Sequence, residues 1–222
     1  MSSAQAPGGA RCAARPFRIA VLISGEGSNL QALLDSVHGE AIAIVGVASS
    51  RAEARGLERA EGAGVETAVF SLAEEPDRVK RDEALAGWLE ERRVELVVLA
   101  GFMELLTPAF IRRFAGRIVN VHPALLPAFP GLGAIEQAVE HGVKVAGVTV
   151  HFVTTDLDAG PIIVQHSVPV LDDDTADTLA ARILVEEHRA YPEAVKLVLD
   201  GSWRIDGRRF VRTAASMSSP SR

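Results

Sequence analysis

Asn120 and His122 stand two residues apart at the end of an apolar run, Arg117-Ile118-Val119-Asn120-Val121-His122, and Pro123 follows at once. Side chains alternate along a strand, so Ile118, Asn120 and His122 share one face while Val119 and Val121 take the other. Pro123 has no N–H to continue the ladder and ends the strand. An amide donor and an imidazole thus point the same way from a strand's C-terminal end, where open parallel sheets bind ligands. Taken alone, the pair reads more simply as two hydrogen-bonded residues closing a strand. Its surroundings decide otherwise: a loop with two acids, Asp156 and Asp158, follows a later strand, and a glycine-bearing turn, Ser24-Gly25-Glu26-Gly27-Ser28-Asn29, follows the first. A strand, a glycine turn and a helix start offer free N–H groups and the positive end of a dipole, which suits a phosphate. The plainer alternative is an ordinary strand-to-helix connection with Ser28 or Asn29 as N-cap.

The available chemistry is narrow. No HExxH, CxxC or other metal-ligand spacing is present, so no metal is expected. The sequence lacks a Gly-x-Ser-x-Gly elbow, and its single cysteine, Cys12, lies in a tail. Covalent serine or cysteine catalysis is therefore not expected. Proton transfer and oxyanion stabilisation in an acyl-type reaction remain. A dinucleotide reading is weaker: the turn has two of the three fingerprint glycines, and the second strand ends Ala48-Ser49-Ser50-Arg51 without the acid that holds a ribose.

The elements that must position these groups follow from periodicity. Strands are expected at Phe17 to Ile23, Ala41 to Ala48, Val65 to Phe70, Leu96 to Ala100 and up to His122, alternating with helices at Leu30 to Val37, Ala52 to Ala63, Asp77 to Glu91 and after Thr107-Pro108. Such alternation predicts an α/β fold with a doubly wound, mostly parallel sheet and a Rossmann-like N-terminal half. The C-terminal part adds a helix at Leu132 to Glu140, a strand pair at Val145 to Phe152 and Ile162 to Val170, and a long helix. Asp174 or Thr175 caps that helix, which runs towards Asp200 with a kink expected at Pro192. Leu179, Ile183, Leu184 and Tyr191 make its apolar face, and Glu187 and His188 fall on the same face. A carboxylate there requires a partner, a ligand or solvent.

The chain has 222 residues, 48% hydrophobic and 23% charged, with a net charge of −6. It is expected to be one domain over 17–213, with a disordered extension over 1–16 and a disordered tail over 214–222. The acidic balance argues against general binding to nucleic-acid backbones. No apolar run spans a bilayer, the first sixteen residues lack the apolar core of a secretory signal, and one cysteine fits a reducing compartment, so a cytoplasmic protein is expected. His38, His141, His151 and His166 read as structural or solvated; His151 is the one to watch, because it leads into the Asp158 loop.

Four motifs, in order, resemble phosphoribosylglycinamide formyltransferase: Ile23 to Ala32, Leu99-Ala100-Gly101-Phe102-Met103, Asn120 to Pro127, and His151 to Pro161. The resemblance runs from Phe17 to the end of the long helix. It implies the formyltransferase fold and transfer of a formyl group from the co-substrate 10-formyltetrahydrofolate to the amine of glycinamide ribonucleotide in purine synthesis, without metal. Carried over motif by motif, it implies Asn120, His122 and Asp158 as the catalytic set. Asn120 would donate to the oxyanion, His122 would stabilise it as a cation or donate a proton, and Asp158 would hold the charge on His122. Gly27, Ser28 and Asn29 would take the ribonucleotide phosphate and Glu187 its ribose. Met103, Glu104, Leu105 and Leu106, with Asn120, would line the folate pocket, and Arg78 would meet the folate glutamate.

Three residues depart from the family pattern: Glu26 where a small or amide residue is usual, Glu104 where a basic one is, and Ile135 where histidine is. The implied partners are small molecules, with a monomer or homodimer expected. Rival readings are a formyltetrahydrofolate hydrolase, which would need a further N-terminal domain, a methionyl-tRNA formyltransferase, which would need a C-terminal RNA-binding domain and a basic surface, and a non-catalytic folate- or nucleotide-binding protein.

Overall fold

The computed structural model describes residues 15–39 and 41–213. Cys12, the tail 214–222 and the extension up to residue 14 lie outside them. Apolar runs form β1 (Phe17–Ile23), β2 (Ile42–Ser49), β4 (Leu96–Leu99) and β5 (Ile118–His122). With the short β3 (Thr67–Val69) they make a parallel sheet, every pairing among them being parallel. Strands β6 (Val145–Phe152) and β7 (Ile162–Pro169) then add antiparallel. A closing hairpin, β8 (Trp203–Asp206) and β9 (Arg209–Arg212), joins through Ile162 and Arg209, giving nine strands in the order β3-β2-β1-β4-β5-β6-β7-β9-β8.

Helices cover both faces. Helices α1 (Ser28–Ser36), α2 (Arg55–Gly62), α5 (Ala134–Glu140) and α6 (Ala176–Asp200) pack on one side, through Leu30, Leu33, Ala60, Ala138, Leu179 and Ile183. Helices α3 (Arg78–Glu91) and α4 (Pro108–Arg113) pack on the other, through Leu85, Ala86, Leu89 and Phe110. Ile118 belongs to the second core and Val119 to the first, as strand alternation requires. The order reverses between β1 and β4. Chain leaving β1 turns to one face and chain leaving β4 to the other, which opens a crevice between their C-terminal ends.

Local chemistry sets the helix ends. The Asp77 carboxylate caps α3 by accepting from Val79 N and Lys80 N, the Thr107 hydroxyl caps α4 ahead of Pro108, and Thr175 with Thr178 forms a capping box on α6. Helix α6 continues through Pro192. Its Tyr191 hydroxyl reaches Leu99 O at 2.7 Å and Val119 O at 3.1 Å, tying the helix to β4 and β5 beside the crevice.

Several boundaries differ from the sequence reading. Helix α1 begins at Ser28, not Leu30, and neither Ser28 nor Asn29 is the N-cap: Gly27 is, in a left-handed conformation (φ 72°) that lets the helix start early. Helix α2 begins at Arg55, not Ala52, because Ala54 is still extended. Helix α5 begins at Ala134, not Leu132, behind left-handed Gly133. Strand β3 is an edge strand of three residues, shorter than Val65 to Phe70. The terminal hairpin is a strand pair that the sequence reading lacks. Its Trp203 packs on Phe152 of β6 at 5.2 Å between ring centroids and donates to Val198 O at 2.8 Å.

Candidate active site

Strand register brings the polar groups together. Asn120 pairs with Leu99 of β4 on one side and with His151 of β6 on the other. Because β5 and β6 run antiparallel, the amide and this second imidazole face each other, with Asn120 Nδ2 to His151 Nε2 at 3.4 Å. His151 is 2% exposed. Its Nδ1 lies 3.0 Å from Phe152 O, which assigns the proton to Nδ1 and leaves Nε2 to accept from Asn120. Burial pushes the His151 imidazole below its ordinary pKa, against the pull of the Phe152 carbonyl and Asp158. A neutral ring with a fixed tautomer thus orients the Asn120 amide.

His122 is 5% exposed and is held from two sides. Its Nε2 lies 2.8 Å from Phe129 O and its Nδ1 3.6 Å from Asp158 Oδ2. The second oxygen of Asp158 lies 3.6 Å from His151 Nε2. One carboxylate therefore stands between two imidazoles, 3.6 Å from a ring nitrogen of each. Asp158 is itself fixed by Gly131 N, 2.8 Å from Oδ2, and sits in the left-handed region with φ 48°. The loop beneath is pinned by the fully buried Thr149, whose hydroxyl accepts from Leu126 N at 3.0 Å and donates to Ala124 O at 2.6 Å.

Across the crevice the glycine turn lines a cavity of about 320 Å³ with Ser24, Gly25, Glu26, Gly27, Ser28, Asn29, Arg51, Ala100, Gly101 and Met103. No side chain caps α1, so its first N–H groups remain available to a ligand. The turn requires glycine for two reasons. Gly27 has a positive φ, and a Cβ there would stand 2.6 Å from Gly56 Cα. Gly56, at the start of α2, donates to Gly25 O at 3.0 Å. The Ser24 hydroxyl, 2.7 Å from Ser50 Oγ, accepts from Met103 N at 2.8 Å and joins the turns after β1 and β4.

The two polar groups meet at α6. Asn29 Nδ2 donates to Glu187 Oε2 at 2.7 Å, while the buried Asn29 Oδ1 has no partner. Burial raises the Glu187 carboxyl above the usual carboxylate range, with the Asn29 hydrogen bond and the charge of His122 opposing it.

The sequence-predicted residues are thus placed unequally. Asn120, His122 and Asp158 converge, and Gly27, Ser28 and Asn29 line the cavity opposite, with Glu187 bonded to Asn29. Met103 lines the cavity and is 67% exposed, Leu105 is 63% exposed, and Glu104 and Leu106 are half-buried on the same segment. Arg78 stands exposed at the start of α3, outside the cavity lining. Glu26 turns to Arg55, with Oε2 to Nη1 at 3.0 Å. Ile135 packs against the core.

The sequence reading gave no site role to three groups. His151, the histidine to watch in the sequence, contacts both Asn120 and Asp158; its place opposite Asn120 follows only from strand register. Arg81 and Asp82, 1% and 2% exposed, anchor the segment after β4: Thr107 N donates to Asp82 Oδ2 at 2.6 Å, and Arg81 lies 2.8 Å from Asp82 Oδ1 and over the Phe102 ring. Arg51 lines the cavity from the end of β2.

The family profile described as formyl transferase matches residues 17–195. A glycinamide ribonucleotide transformylase 1 from Symbiobacterium toebii superposes with a TM-score of 0.86 and 52% identity, covering 89% of this chain and 94% of that one. The phosphoribosylglycinamide formyltransferase of Escherichia coli is 44% identical over 194 residues, which is 86% of this chain and 89% of the relative. The trifunctional purine biosynthetic protein adenosine-3 of Bos taurus is 46% identical over 190 residues, 85% of this chain, and this chain spans only 19% of its length. With its fold shared over 94% of the Symbiobacterium toebii chain and its sequence over 89% of the Escherichia coli one, the chain belongs to the formyl transferase family, among the phosphoribosylglycinamide formyltransferases.

Proposed function

We propose that this protein transfers the formyl group of 10-formyltetrahydrofolate to the primary amine of glycinamide ribonucleotide, as a step of purine synthesis. The observation that carries the reading is the convergence of Asn120, His122 and Asp158 beyond β5, facing an uncapped helix start across one crevice. The ribonucleotide phosphate rests on the N–H groups after Gly27, and Glu187, fixed by Asn29, meets the ribose. The folate lies along Met103 to Leu106 and brings its formyl carbon to Asn120.

Attack by the amine forms the new C–N bond and moves the carbonyl π pair onto oxygen. Asn120 has two amide hydrogens; one faces His151, and the other is free to donate to that oxyanion. His122, as imidazolium between Phe129 O and Asp158, supplies positive charge to the same centre. Collapse of the tetrahedral adduct breaks the bond to the folate nitrogen, which gains a proton as the attacking amine loses one. His122 can relay that proton only by turning away from Phe129 O or Asp158. Its first role in this geometry is therefore electrostatic.

The test is formyl transfer by the purified protein, followed as release of the deformylated folate. Release that requires glycinamide ribonucleotide supports the transferase. Release in water alone would mean a hydrolase. No release with either would leave a binding protein.

A further inference from the structure

The crevice holds one cation that this chemistry does not use. Arg51 follows β2 and lines the cavity together with the glycine turn, Gly101 and Met103. It is exposed, and among the described residues no carboxylate lies within ion-pair distance of its guanidinium. Its neighbours on α2 are engaged: Arg55 binds Glu26 Oε2 at 3.0 Å, and Arg59 donates to Glu26 O at 2.8 Å and Gln31 Oε1 at 3.3 Å. The Arg51 main chain, by contrast, is locked. Its N–H donates to Ser49 Oγ at 3.0 Å, and the same hydroxyl donates to its carbonyl at 2.7 Å.

A fixed base carrying an unpaired guanidinium at the rim of a cavity is suited to an anion. The charge of the cavity agrees. Its one carboxylate, Glu26, is neutralised by Arg55, so the available groups are the α1 N–H donors and Arg51. Each of the three terminal oxygens of a phosphate monoester can accept more than one hydrogen bond, so acceptor positions remain beyond the N–H groups of a helix start, and the planar guanidinium fork fits two of these oxygens. We infer that Arg51 closes the phosphate subsite from the β2 side and selects the phosphorylated substrate over its unphosphorylated nucleoside. This inference rests on the proposal that the glycine turn holds the ribonucleotide phosphate.

The experiment compares glycinamide ribonucleotide with its dephosphorylated riboside on wild type, Arg51→Gln and Arg51→Lys. For Arg51→Gln, the ribonucleotide KM should rise about tenfold or more. The kcat, the folate KM, the melting temperature and the kcat/KM for riboside should stay at wild-type values, with Arg51→Lys intermediate. Inhibition by inorganic phosphate should weaken in parallel. An unchanged ribonucleotide KM, or an equal loss on both substrates, would overturn the role of Arg51 while leaving the phosphate turn intact. A wild-type enzyme indifferent to the phosphate would overturn the turn's assignment and Arg51 with it.

Discussion

The two sides of the crevice are built from different materials. On the β1 side the proposed ligand groups are main-chain N–H donors, presented by a turn whose shape depends on Gly27 fitting against Gly56. On the β5 side they are side chains, Asn120, His122 and Asp158, each aimed by a neighbour: His151, Phe129 O and Gly131 N. Apart from Arg51, the first side should tolerate changes of side chain and fail when the backbone is crowded. The second should keep its shape under mutation and fail when one functional group is lost.

The largest effects are expected on the β5 side. Asn120→Ala and His122→Ala should each lower kcat by about 10²–10³, with the ribonucleotide KM close to wild type in steady-state assays. Near wild-type kcat in the double variant would remove the mechanism. On the β1 side, Gly27→Ala should act in the other column, raising the ribonucleotide KM and costing roughly 1–3 kcal/mol of stability by chemical denaturation, whereas Glu26→Gln should change the KM by less than about threefold because its exposed ion pair contributes little.

Between the two sides, Asp82→Asn should loosen the segment that ends at Thr107. The folate KM should rise by about tenfold, in line with the net worth of one hydrogen bond to a charged group, while the ribonucleotide KM holds. Equal changes in both constants would argue for general unfolding instead.

The smallest effect is a pH dependence of stability. Burial holds the His151 pKa below its ordinary 6.5 in the native state. As pH falls through that value the unfolded chain takes up the proton first, so this group lowers stability below about pH 6.5 and leaves it unaffected well above. Denaturant midpoints of His151→Gln should fall less steeply over this window than those of wild type, and Asn120, losing its oriented acceptor, should make the variant slower at every pH. A midpoint curve parallel to wild type would show that His151 is not buried neutral.

Much of this was legible in the sequence. Runs such as Phe17–Ile23 and Leu96–Leu99 are apolar without alternation, which marks strands covered on both faces, and the glycine turn and Asn120-Val121-His122-Pro123 carry their chemistry within a few residues. The closing hairpin was legible too, since left-handed Gly207 follows Asp206 in a two-residue loop between Trp203–Asp206 and Arg209–Arg212, but a short polar segment after a long helix gives little apolar pattern to notice. Arg81 and Asp82 show the opposite failure: charged residues are ordinarily solvated, and only packing against Phe102 and Thr107 puts these two inside.

By itself, then, the sequence supplied the proposed catalytic groups and the backbone proposed to receive a phosphate, because both depend on residue type and on neighbours a few positions away. The tertiary structure decided how they are aimed. The β5–β6 register sets His151 against Asn120, the Asp158 loop folds its carboxylate between two imidazoles, and the parallel order of β2 and β1 brings Arg51 to the glycine turn. Asn120 meets His151 across 31 positions of chain and His122 meets Asp158 across 36, contacts fixed by strand pairing and loop closure, which no local pattern encodes.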